Sequence, residues 1–126
     1  MFAMDRIVHL SIKVENLDQS TKFYTTVFGM EVLGTERKPG RTTRRLSDGH
    51  LDFTIMQYDS ETEQDASLSG EGPCIHHFGV EVGDRADAIA RISAAGGEIL
   101  SPHDAKAVKF RGPDGIIAEI VDPGTF

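Results

Sequence analysis

Apolar and polar residues alternate through "VHLSIKV". Val8, Leu10, Ile12 and Val14 fall on one face of a strand, and His9, Ser11 and Lys13 on the other. In "HFGVEV", Phe78, Val80 and Val82 oppose His77, Gly79 and Glu81, which leaves His76 on the apolar side. In "HLDFTIM", Leu51, Phe53 and Ile55 oppose His50, Asp52, Thr54 and Met56; in "GIIAEIV", Ile116, Ala118 and Ile120 oppose Ile117, Glu119 and Val121. Between strands the apolar period lengthens to that of a helix. Asn16, with Gln19 three residues on, is a capping-box start, and Gly29 is a natural stop. Leu17, Tyr24, Val27 and Phe28 form the apolar stripe of that helix, with Phe28 and Met30 expected in the core. A second helix starts at Asp84, carries Ile89 and Ile92 on its stripe, and ends at Gly96-Gly97. Both helices are expected to cover the apolar face of a sheet.

The chain repeats itself. "HLSIKVENLDQSTKFYTTVFGMEVL" begins at His9 and "HFGVEVGDRADAIARISAAGGEIL" at His77. Each copy continues to an Asp-Gly pair between apolar runs, Asp48-Gly49 and Asp114-Gly115, a strong hairpin signal because tight turns need positive φ. The reading is one α+β domain over 1–126 with two βαβββ modules, about 5–57 and about 74–123. The polar, Gly/Ser-rich segment 58–73 is a linker or mobile flap between them. The two modules are expected to form one curved mixed sheet, as half-barrels, with helices on the convex side. The repeat pairs His9 with His77 and Asp52 with Glu119, so two imidazoles and two carboxylates would converge on the concave face. Two His nitrogens and one or two carboxylate oxygens suit a divalent first-row metal with open coordination positions.

Composition narrows the function classes. The 126 residues carry 13 basic and 20 acidic side chains, net −7 with an apolar fraction of 39%, which describes a soluble globular chain and argues against nucleic-acid binding. The one basic stretch, "ERKPGRTTRR", is either a solvated hairpin or an anion-holding rim over a substrate site. No apolar run is long enough to cross a membrane, and the N-terminus lacks the pattern of a signal peptide. The single cysteine, Cys74, fits a reducing, cytoplasmic setting and has no second cysteine with which to form a thiolate metal site. His50 is expected at the rim, and His103, after Pro102, exposed in a loop.

These residues resemble the vicinal oxygen chelate superfamily, which includes glyoxalase I, methylmalonyl-CoA epimerase, extradiol dioxygenases and bleomycin-resistance proteins. "HLSIKVENLDQSTKFYTTVFGMEVLG", "HHFGVEV" and "GPDGIIAEIVDP" carry the resemblance over nearly the whole chain. It implies that His9, His77 and Glu119 hold one divalent ion (Zn, Ni, Co, Mn or Fe). The fourth ligand position, usually Glu or Gln, is filled here by the shorter Asp52. It implies a lyase or isomerase acting on a small oxygen-chelating substrate, with Glu119 and Asp52 as candidate proton carriers. Ser11, Lys13, Thr54, Met56 and His50 would shape the substrate pocket. Glyoxalase I usually has Arg where Lys13 stands and Asn near Met56, so the resemblance points to fold and metal site more than to a glutathione substrate. An Fe(II) dioxygenase and a small-molecule-binding resistance protein are the alternatives. A homodimer is implied, with each site within one chain or shared between chains.

Overall fold

The computed structural model describes residues 4–126. It contains two compact units. His9–His76 form one; residues 4–8, with His77–Phe126, form the other. In chain order the elements are β1 (Arg6–Lys13), α1 (Leu17–Phe28), β2 (Glu31–Lys38), β3 (Arg41–Ser47), β4 (Asp52–Tyr58), β5 (Cys74–Glu81), α2 (Arg85–Ala94), β6 (Glu98–Ile99), β7 (Ala107–Arg111) and β8 (Ile117–Val121). The class is therefore α+β, with the βαβββ pattern twice.

The strand order is β2-β3-β4-β1 in the first half and β5-β8-β7-β6 in the second. Each half is mixed: β1 pairs parallel with β4 and β5 with β8, while the other pairs are antiparallel. The parallel pairings put one module's first and last strands side by side, and these are the strands that bear the His and carboxylate residues.

The local signals act as their chemistry dictates. The Asn16 side chain accepts a hydrogen bond from the Gln19 amide, and Gly29 closes α1 in the left-handed region at φ 68°. Asp84 caps α2 through the Asp87 amide. At the second Asp-Gly pair both residues have positive φ, 60° and 80°, a conformation that Asp and Gly tolerate at little cost. At the first pair only Gly49 does, and Asp48 instead accepts from the His50 and Leu51 amides. Those two bonds hold the Asp48 carboxyl below the usual carboxylate range.

Each half packs its own apolar core. Ile12, Leu17, Leu46, Phe53 and Ile55 form the first, with Tyr24 set edge-on against Phe53. Val82, Ala88, Ile89, Val108 and Ile120 form the second, with Ile92 packed against it. The α1 stripe is narrower than its sequence predicts. Val27 and Phe28 are exposed; Phe28, the last residue of the helix, meets Phe23 edge-on and stacks on Tyr24. Met30 does pack on the first core.

The polar face of β1 is also buried. His9, Ser11 and Lys13 are all at most 3% exposed. Lys13 explains how the 58–73 segment is held. Its ammonium donates to the Ala66 and Gly70 carbonyls at 2.7 and 3.0 Å and pairs with Glu61 at 3.1 Å. All three of its N–H donors thus serve the linker, and Glu61 reaches on to the Gly72 amide. His76 adds a second anchor: Nε2 donates to the Asp65 carbonyl at 2.7 Å, its own carbonyl accepts from Ser69, and Tyr58 lies against its ring. Its neighbours are thus linker residues and Tyr58, where the sequence places it on the helix-packed side or at the strand's edge. A buried ammonium must be fully paired to be tolerated, so the segment is a folded loop wrapped on a cation.

Lys13→Met removes that centre. Losing one charge-assisted hydrogen bond costs about 1.5–3 kcal/mol, which makes local opening about tenfold or more frequent. Limited proteolysis should therefore cut the variant between residues 59 and 72 at least about tenfold faster than wild type. Equal cleavage rates would show that Lys13 does not hold the loop.

Candidate functional site

The first half places His9 directly opposite Asp52 across the parallel β1–β4 pair. Asp52 Oδ2 lies 2.6 Å from His9 Nδ1 and accepts from Thr54 Oγ1 at 2.7 Å, while Oδ1 accepts from Arg45 Nε at 2.6 Å. Burial alone would push this carboxyl up, but the bonds from His9, Arg45 and Thr54 outweigh it, and its pKa lies below the usual range. Asp52 is then an anion that only accepts, so His9 Nδ1 must carry a proton. In a neutral imidazole the lone pair is left on Nε2, and Ser11 Oγ sits 2.9 Å from that atom.

The second half is built differently. Glu119 stands opposite Gly79, two residues beyond His77. Its side chain, one methylene longer than Asp, runs diagonally to the far nitrogen, with Oε1 3.4 Å from His77 Nε2. That separation exceeds the ~2.7–2.9 Å of a charge-assisted hydrogen bond. It matches the roughly 3.3–3.4 Å between two ligand atoms bonded at ~2.0–2.1 Å to one tetrahedral ion. The donor chemistry and the spacing of this pair therefore fit a divalent metal. Oε2 lies 3.7 Å from Lys109 Nζ, directly across the β7–β8 pair.

The remaining sequence candidates divide. Ser11, Thr54 and Met56 are buried on the His9 side of their strands, and Thr54 is tied to Asp52. Lys13 is committed to the linker. His50 is exposed in the turn before β4, which begins only at Asp52, so it does not continue that strand's buried face. His103 is exposed, as expected. The basic stretch behaves mainly as a paired surface. Arg37 grips Asp59, Arg44 bonds Asp18 and Thr21, Lys38 lies 3.9 Å from Glu36, and Arg45 serves Asp52. Arg41 lies over the Tyr58 ring, and its Nε makes no hydrogen bond.

Two contributors escaped the sequence reading. Arg45 was visible as one basic residue among five, but its bond to Asp52 depends on the diagonal from its register partner Thr54. Lys109 left only the alternation of "AVKFR", which sets it opposite Val108 and Phe110, both packed in the second core.

Comparison with known proteins agrees with this architecture. The family described as Glyoxalase/Bleomycin resistance protein/Dioxygenase superfamily matches residues 6–120. A lactoylglutathione lyase of Neisseria meningitidis is 26% identical over 131 aligned positions, covering 92% of this chain and 89% of that protein. The Streptomyces coelicolor methylmalonyl-CoA epimerase, solved in complex with 2-nitronate-propionyl-CoA, superposes with a TM-score of 0.77 at 25% identity, over 98% of this chain and all of that one. The fold alone is shared with the hypothetical protein BH1468 of Bacillus halodurans, at a TM-score of 0.79 and 20% identity over 95% of both chains. Matched over nearly its whole length, the chain belongs to the Glyoxalase/Bleomycin resistance protein/Dioxygenase superfamily.

Proposed function

We propose that this protein is a metal-dependent lyase or isomerase acting on a small substrate that chelates through two oxygens, carbonyl or carboxylate. The observation that carries the reading is the buried His77–Glu119 pair, whose 3.4 Å separation suits two ligands of one ion. The family resemblance adds His9 as a third ligand in this reading, through the nitrogen that Asp52 leaves unprotonated. The set of two imidazoles and one carboxylate suits zinc, nickel, cobalt, manganese or iron.

Bound there, a divalent ion would supply Lewis acidity toward substrate oxygens and developing negative charge. The protein's own part is proton movement and exclusion of water. Glu119 takes a proton from the carbon beside the polarised carbonyl and returns it, with Lys109 balancing charge at its other oxygen. Ser11, Thr54 and Met56 wall the buried polar face. The folded 58–73 loop, tied to Lys13, limits access of water at that end of β1. The names of the relatives, a lyase and an epimerase, support this reaction class. A second reading, an Fe(II) extradiol-type dioxygenase, uses the same two His and one Glu, and the engagement of Asp52 by protein donors favours it to that extent.

The exposed apolar residues Phe23, Val27, Phe28, Val32 and Leu33 support the homodimer that the resemblance implies. No described helix is long and apolar enough to cross a membrane, and the lone thiol supports a cytoplasmic setting.

Purified wild type should contain about one divalent ion per chain by elemental analysis. His77→Ala should lose it. His76→Ala should keep it while losing about 1–3 kcal/mol of stability in urea denaturation, because the Asp65 carbonyl loses its donor. Metal-free wild type that behaves identically to His77→Ala sinks the metal reading.

The reaction is tested by adding each metal to the metal-free enzyme with two substrates, the glutathione hemithioacetal of methylglyoxal and methylmalonyl-CoA. Turnover of either, lost on chelation, is expected. Oxygen uptake with a catechol after anaerobic iron loading, without turnover of those two, selects the dioxygenase reading instead.

A further inference from the structure

We propose that Asp52, which the internal repeat makes the counterpart of Glu119, is not a metal ligand but the positioning residue that fixes His9 for metal binding. The inference rests on the metal reading above and deepens it.

Three observations carry it. First, both carboxylate oxygens of Asp52 are engaged, by His9 Nδ1, Thr54 Oγ1 and Arg45 Nε, at 2.6–2.7 Å. A metal would have to displace charge-assisted bonds that also keep a buried anion neutralised. Second, the register differs between halves. Asp52 is directly opposite its histidine, whereas Glu119 is opposite Gly79, two positions past His77. The short side chain therefore meets the near nitrogen, Nδ1, and the long one meets the far nitrogen, Nε2. Third, a carboxylate on one ring nitrogen of a ligating histidine sets the tautomer, aims the ring and raises the basicity of the other nitrogen.

Arg45 and Thr54 extend the arrangement. They hold the Asp52 carboxylate from β3 and from β4 itself, so the ring of His9 is fixed by two neighbouring strands. Asp52 would then stand outside the set of residues that hold the ion. The positions left open suit a substrate that binds through two oxygens at once.

The test is long-range proton–nitrogen NMR of the His9 ring in ¹⁵N-labelled wild type, without metal and after adding zinc. The expected spectrum shows Nδ1 protonated in both states, with only the Nε2 resonance shifting on zinc binding. In parallel, Asp52→Asn should still take up zinc at the wild-type stoichiometry, with affinity lowered about 10–100-fold by calorimetry. Glu119→Gln should lose far more. An Nε2–H tautomer in the metal-free protein overturns the proposal, as does disappearance of the Nδ1–H signal on adding zinc. So does an Asp52→Asn loss as large as that of Glu119→Gln. If zinc does not bind wild type at all, the metal reading fails, and the tautomer of the metal-free protein still decides whether Asp52 orients His9.

Discussion

Asp52 can stay ionised inside this protein only because three donors from two other side-chain types and one imidazole converge on it. An unpaired buried carboxylate would be neutralised or would unfold the region around it. Much of the first half follows from meeting that demand. Asp52 must sit opposite His9, Arg45 must be diagonal to it on β3, and Thr54 must lie two residues further along the same face. The same rule governs Lys13, whose ammonium is tolerated because the linker folds around it. Buried polar residues on β1 thus decide both the chemistry of the face and the path of the chain that leaves β4.

Much of this was legible in the sequence because local rules governed it. Alternation located the strands, Asn16, Gly29 and Asp84 located the helix ends, and the two Asp-Gly pairs located the hairpins. The internal repeat named the residues of the candidate site. Long-range properties were not legible. Alternation assigns a side chain to a face without saying what will cover that face, so Lys13 read as part of a substrate pocket and His76 as a residue on the helix-packed side or at the strand's edge. Both instead anchor the linker. Phe28 read as core because a stripe on a helix says nothing about where the sheet beneath it ends.

The repeat itself hid one difference. The two histidines lie 68 positions apart and the two carboxylates 67, which makes the halves look equivalent. Pairing shifts the second carboxylate by two residues along its strand. A shift of two preserves the face and changes the partner, because side chains repeat with period two. Asp in one half and Glu in the other thus reach different nitrogens of their histidines, and the proposed reading gives them different tasks. The shorter side chain of the first carboxylate fits its reach to Nδ1. Pseudo-symmetry here supplied two copies of a His–carboxylate pair, and register let them diverge.

The central proposal is that His77 and Glu119 hold a metal ion while Asp52 serves His9 and not the ion. Anomalous X-ray diffraction from crystals soaked in zinc tests it most directly. The account predicts a single anomalous peak per chain about 2.0–2.2 Å from His9 Nε2, His77 Nε2 and a Glu119 oxygen, with Asp52 still on His9 Nδ1 and beyond bonding distance. A peak bonded to Asp52, or no peak near these residues, would contradict it.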